Sequence, residues 1–297
     1  MTRLWERLFD ISEFYVSGIP FPFERYEFDR KICFRRSGEQ GCKACVAVEA
    51  ERPFQETSSE QTITEIATIY ALVSNFSLNI EPLGAHSLGS LEELGTCERP
   101  HGILRGMVVY PEEKSREYSA RLSANWKRTR DVWKNFAEIS HDIYPLRLAL
   151  FYFYRGGLRS KVGHREGLDE AFIDTVTALE ALFNDGAPDI KYKLAIRGAM
   201  ILSFLKEPVD KNAFNLLKDA YDRRSDIIHG RGRKMVQSDD YRKIRQITRN
   251  CLKAYFALGL RKTKEDIIRS IDQALLEPEQ RRILDKAIQE GLSELGL

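Results

Sequence analysis

The chain has 297 residues, room for about two domains at roughly 150 residues each. Hydrophobic residues make up 43% and charged residues 30%, which excludes a disordered chain, and 19 Gly with 10 Pro are too few for a fibrous or low-complexity one. With 46 Lys and Arg against 44 Asp and Glu the net charge is +2, so any basic surface for nucleic acid must come from local clustering.

The richest apolar stretch, Ile143 to Tyr154, is broken by Pro145 and Arg147. It falls short of the about 20 apolar residues that a transmembrane helix needs. The start, MTRLWERLFDISEF, carries Glu6 and Asp10 where a signal peptide keeps an unbroken apolar core. No membrane partner is expected, and the expected compartment is the cytoplasm. Cys33, Cys42, Cys45, Cys97 and Cys251 are odd in number and scattered, which argues against a disulfide framework.

In chain order, Tyr26 to Arg36 and Lys43 to Glu51 are rich in β-formers, and the SGEQG between them predicts a hairpin. Thr62 to Val73 spaces Ile63, Ile66, Tyr70 and Val73 as a helix does. Glu81 to Pro100 is punctuated by Gly and Pro and reads as a loop; Gly102 to Tyr110 reads as one more strand. After Pro111 helical patterns take over, at 112–140, 146–154, 167–184, 190–205, 210–229, 238–261, 264–276 and 278–294. No internal repeat is present. The expected class is α+β: a mixed α/β domain of unknown role over 1–115, an all-α bundle over 116–262, and a C-terminal helical tail over 263–297.

The chemistry concentrates on the helix KNAFNLLKDAYDRRSDIIHG. Phe214, Leu217, Tyr221 and Ile228 mark its expected buried stripe, and three/four spacing puts Arg224 in the same stripe. An arginine in such a slot is costly unless it is paired or opens onto a cleft. His229 stands in the last turn before Gly230, where the helix dipole favours a cation. Arginine offers a planar fork of donors for phosphate oxygens, and histidine exchanges protons near neutral pH. Together they suffice for RNA cleavage without a metal: His229 moves a proton at the ribose 2′-OH or the leaving oxygen, and Arg224 holds the charge building on phosphorus. The plainer alternative pairs Arg224 with a carboxylate and leaves His229 as a cap. Glu180, on the face of Ile173, Val176 and Phe183, and Arg197, on the face of Ile190, Leu194 and Ile201, also interrupt apolar stripes. Glu180 is expected to pair inside the bundle with Arg197 or with Arg224. Breaking such a buried pair costs about 3–5 kcal/mol. Alternatively Glu180 orients Arg224 or His229 from behind.

Three runs occur in order: ALEALFNDG (Ala178–Gly186), KYKLAIRGAMIL (Lys191–Leu202) and LKDAYDRRSDIIHG (Leu217–Gly230). They resemble the LEALL-type, K-x-A-x-R-x-A and YxxRSxxxHG helices of the Apea-like branch of the HEPN superfamily. The superfamily's R-x(4–6)-H signature falls on Arg224 and His229; Arg223 also fits the spacing, but the Ser225 that follows favours Arg224. The resemblance covers roughly 146–262. It implies an antiparallel helical bundle that dimerises, with two R…H motifs meeting in one metal-independent ribonuclease site, and a place among anti-phage defence or toxin effectors.

Basic residues gather around the same motif. Arg223, Arg231, Arg233 and Lys234 could follow a phosphate backbone, with Asp226 as an acidic neighbour. Elsewhere signals are weaker. Cys42-Lys-Ala-Cys45 is half a zinc site whose second half only Cys33 and Cys97 could supply, at irregular spacing. His86, His101, His141 and His164 have no partner at motif spacing, and no phosphate loop or dinucleotide fingerprint occurs. No metal and no cofactor is expected. The sequence therefore reads as a HEPN-type endoribonuclease acting on RNA as a homodimer, with any antitoxin or sensor partner unidentified. The alternative is a non-catalytic HEPN protein that dimerises or binds nucleotide or RNA.

Overall fold

A computed structural model describes the backbone over residues 9–17, 23, 25–29, 32–36, 41–49, 56–74, 79–87, 112–139, 142–160, 165–205, 212–231 and 235–297. Side chains are described over 23, 62–74, 120–139, 142–160, 167–205, 212–231 and 235–297. The chain parts into two units, one of residues 1–66 and 78–130, the other of 67–77 and 131–297.

In the first unit, strands β1 (Phe9–Ser17), β2 (Arg25–Asp29), β3 (Ile32–Arg36), β4 (Gly41–Glu49) and β5 (Asn79–Ser87) form one sheet in the order β2-β3-β4-β1-β5. Every neighbouring pair is antiparallel. β3 and β4 pair antiparallel on either side of the expected turn, whose residues Ser37 to Gln40 lie outside the described residues. β5 occupies the start of the segment expected as a loop. It tolerates Pro82 because it is an edge strand, where one row of backbone groups needs no partner. Its register against β1 slips by one residue, so that Leu83 has no opposite number between Pro82 and Gly84. The strand expected over Gly102–Tyr110 lies outside the described residues.

The expected α+β class, built on an N-terminal mixed domain, is corrected. Of the residues whose side chains are described, 83% are helical and none lies in a strand, which is an all-helical class. The one helix expected within the N-terminal domain, α1 (Glu56–Ser74), is shared with the helical unit. From Ala67 onward it groups with the helices beyond Asp131. There Arg249 donates from Nε to the carbonyl of Leu72 (2.7 Å) and from Nη2 to that of Val73 (2.6 Å). Those carbonyls end α1 without intrahelical partners, and the guanidinium supplies them.

The second unit continues with α2 (Glu112–Ala137, its last turns), α3 (Tyr144–Arg159), α4 (Arg165–Phe183), α5 (Ile190–Leu202), α6 (Ala213–Ile228), α7 (Ser238–Gly259), α8 (Lys264–Leu276) and α9 (Pro278–Leu295). Pro145 and Pro278 open α3 and α9 in the first turn, where a missing N–H costs nothing. Thr263 caps α8, its Oγ1 accepting from the Asp266 N–H.

α7 is the spine. Its last two turns, Cys251, Leu252 and Ala254 to Leu258, are buried on nearly all sides, and it packs against α3, α4, α5, α8 and α9. Phe136 of α2 meets Phe256 edge-on at 5.4 Å between ring centres. α3 and α4 are clamped by Asp174, whose side chain is 1% exposed and pairs with both Arg155 and Arg159. Residues 263–297, expected as a tail, are two helices packed into this same unit.

α9 reaches α7 through Gly291. A Cβ there would stand 2.5 Å from the Ala257 carbonyl oxygen and 2.8 Å from its Cβ. Backbone cannot retreat as a flexible side chain can. Gly291→Ala should therefore cost about 1–3 kcal/mol, the usual penalty of overpacking, read as a lowered melting temperature. An unchanged melt would show that α9 does not seat on α7 this closely.

Candidate functional site

α6 turns one row inward: Ala213, Leu217 and Ala220 are buried, and Arg224 is the next position of that row. The expected stripe through Ile228 is corrected, since Ile228 is 46% exposed. Three/four spacing allowed two adjacent rows. The helix buries the one with two small alanines, which lets α6 approach its neighbours closely.

The helix ends in a Schellman motif. Gly230 takes the left-handed conformation (φ +65°). Its N–H donates to Ile227 (3.2 Å), and the Arg231 N–H donates to the carbonyl of Asp226 (2.8 Å). His229 is the last residue before that turn, and its side chain is exposed. A left-handed glycine ends the helix sharply, so the imidazole stands at the helix terminus with no further turn over it.

Arg224 faces Glu180 of α4. Its Nη2 lies 3.4 Å from Oε2 of Glu180, longer than the about 2.7–3.2 Å of a good N–H···O bond. Nε of Arg224 and Oε1 of Glu180 are both buried without a hydrogen-bond partner. Burial pushes the Glu180 carboxyl above the usual carboxylate range, and the attraction of Arg224 only partly offsets it. Leaving a buried polar atom unsatisfied costs about 1–3 kcal/mol. The pair is thus half-made.

Other arginines in the bundle are not. Arg197 is 3% exposed and fully engaged. It donates from Nε and Nη2 to Asp272 (2.8 and 2.7 Å), from Nη2 to Asp185 (2.9 Å) and from Nη1 to the Phe183 carbonyl (2.7 Å). Of the two partners expected for Glu180, then, the structure brings up Arg224, while Arg197 locks α5 to α8 and to the turn after α4. Arg223 is also committed, to Asp240 (2.6 Å), to the Met235 carbonyl and across the Phe172 ring. It fastens the segment leading into α7, leaving Arg224 as the arginine of the RR pair with donors to spare. Asp226 contributes its carbonyl to the cap, and Arg231 is exposed just beyond it. Arg233 and Lys234 lie outside the described residues.

Asp185 and Asp272 were not singled out by the sequence. Asp185 stands two residues after the end of α4, in the NDGAP break that the sequence does mark. Asp272 stands 75 residues from Arg197, on a half-exposed face of α8, and no local pattern marks it. A cavity of about 450 Å³ adjoins these groups, lined by Asp185, Lys264, Asp272 and Leu276 among others; neither Arg224 nor His229 lines it. Among the described residues no three His, Cys, Asp or Glu could together hold a metal ion, and no helix is long and apolar enough to cross a membrane. Cys33 stands opposite Cys45 in the β3–β4 ladder, but the side chains of Cys33, Cys42, Cys45 and Cys97 lie outside the described residues, as do those of His86, His101, His141 and His164.

Comparison with protein-family models, with curated proteins and with solved structures finds no match to this chain.

Two measurements follow from these carboxylates. Desolvation of Asp185 is outweighed by its bonds from Arg197, Lys193 and the Ala187 N–H, which hold it well below the usual carboxylate range. A depressed carboxylate stabilises the fold above its unfolded value near 3.8 and loses that contribution as pH falls. Asp185→Asn should therefore melt below wild type at pH 7, with the gap closing towards pH 2; a gap independent of pH would contradict the assignment. Glu180 has the opposite sign. Its raised carboxyl favours the fold below the unfolded value near 4.5, and that contribution is lost as pH rises. The strong loss expected of a fully buried pair is thus replaced by a different outcome: Glu180→Gln should melt at or above wild type at pH 7. A clear drop would mean that the ion pair is a net stabiliser.

Proposed function

We propose that the chain is a metal-independent endoribonuclease of the HEPN type, working as a homodimer in the cytoplasm as a defence or toxin effector. The observation that carries the reading is that one helix holds both an exposed His229 at its sharply ended terminus and, five residues earlier, Arg224, whose Nε is buried without a hydrogen-bond partner and whose Nη2 makes a single contact of 3.4 Å. Arg223, the other arginine at motif spacing, is already occupied, which supports the choice of Arg224.

The chemistry is transfer to the ribose 2′-oxygen. A histidine removes the 2′-OH proton, the 2′-oxygen forms a bond to phosphorus, and the bond from phosphorus to the 5′-oxygen breaks. That oxygen takes a proton from a second acid. The products are a 2′,3′-cyclic phosphate and a 5′-hydroxyl. One chain brings one His229 to this step, and acid and base are both needed, so the second group comes from the partner's copy of the motif. Arg224 stabilises the additional negative charge on the phosphoryl oxygens in the transition state, where a preorganised donor is worth about 10²–10³ in rate. An interaction protein without catalysis is the second reading. Exposed Ile228 and Met235, on either side of His229 in sequence, favour it.

Incubation with labelled RNA in EDTA decides between them. Wild type should cut. His229→Ala should not, yet should melt within a few degrees of wild type, because an exposed side chain at a helix end carries little packing. Dependence on Mg²⁺, or full activity of His229→Ala, would overturn the metal-independent mechanism at His229, and no cleavage by wild type would leave the interaction protein.

A further inference from the structure

Arg224 and Glu180 face each other with one contact made and one missing. Nη2 and Oε2 stand 3.4 Å apart. Nε and Oε1, the atoms that would form the second bond of a forked pair, are both present, buried and without partners. The same bundle shows what a finished fork looks like, where Arg197 presents Nε and Nη2 together to the two oxygens of Asp272. A guanidinium has two usable edges, one through Nε and Nη2 and one through Nη1 and Nη2. A carboxylate that closes on the first leaves the second aimed outward, for a phosphate.

We infer that Glu180 is the positioning residue of the site: its carboxylate closes on the Nε–Nη2 edge of Arg224 and so turns the Nη1–Nη2 edge to the phosphate of the bound RNA. This rests on the ribonuclease reading for its substrate, but not for its geometry. Three features support it. The missing bond has both its atoms in place. The two helices that carry them, α4 and α6, are in direct contact. And the half-made pair leaves two buried polar atoms unsatisfied, which a phosphate drawing Arg224 into the closed fork would relieve. Glu180 touches no substrate in this arrangement; it acts through Arg224.

The test combines a kinetic and a spectroscopic reading on the full-length chain. Glu180→Gln should lower kcat on RNA by about ten- to hundred-fold, the usual effect of losing an orienting partner. Its KM should stay the same or fall, since a negative charge beside the phosphate site is gone. A protein crippled by misfolding would instead lose kcat in proportion to its folded fraction, which melting curves report. In Arg224→Ala, added guanidinium ion should restore part of the activity, and in the Glu180→Gln, Arg224→Ala double variant it should not. Unchanged kcat in Glu180→Gln, or equal rescue in the double variant, would overturn the proposal. If wild type does not cut RNA at all, the ribonuclease reading has failed by itself. The Nε–H resonance of Arg224 then decides: inorganic phosphate should shift it downfield and slow its exchange in wild type but not in Glu180→Gln. The same response in both proteins would overturn the positioning role.

Discussion

A helix that is apolar on every side must be enclosed on every side, and the last two turns of α7 set that requirement for the whole helical unit. Cys251 to Leu258 offers only Lys253 to solvent as a charged group. α3, α4, α5, α8 and α9 are all placed by the need to cover it. The helices beyond residue 263 are part of that cover. Gly291 exists at the α7–α9 crossing because Ala257 leaves no room for a side chain.

Packing around one apolar spine does not fix helix register, because dispersion contacts are numerous and individually weak. Here arginines that reach across the unit supply the register. Arg249 joins α7 to the end of α1, Arg155 and Arg159 join α3 to Asp174 of α4, Arg197 joins α5 to α8, and Arg223 joins α6 to the start of α7. Each spends its donors on carbonyls or carboxylates from another element. Arg224 departs from this pattern. It occupies an inner-row position, yet it makes one long contact to a carboxyl that burial itself disfavours. A group that gives little back to folding where it stands is what a binding or catalytic site looks like energetically.

Much of the helical unit was legible in the sequence because its breaks are chemical. Gly230, Pro278 and the NDGAP turn end or begin helices for local reasons that need no tertiary knowledge. Arg224 was visible for the same reason, as a charge in a row where apolar residues were due. What was not legible depends on distant partners. The sheet-edge position of β5 hides behind Pro82 and Gly84, which mark a loop unless the strand is known to lie at an edge. Ile228 reads as inward because it continues the three/four spacing of large side chains from Phe214, yet the helix buries the row of Ala213 and Ala220. No local pattern matches Asp272 to Arg197 across 75 residues, which is why the sequence by itself points Arg197 at Glu180. The second half of α1 joins the helical unit for a similar cause: its own residues carry no mark that Arg249, far along the chain, holds its last turn.

In the proposed mechanism Arg224 and His229 drive attack by the ribose 2′-oxygen, and that attack leaves its mark on the fragment ends. The most direct measurement is the chemistry of the ends. Cleavage of a defined RNA containing a single 2′-O-methyl nucleotide, followed by mass spectrometry of the fragments, should show 2′,3′-cyclic phosphate and 5′-hydroxyl ends everywhere except after the methylated position, which should stay intact. Fragments with 5′-phosphate ends, or cutting after the methylated nucleotide, would contradict the account.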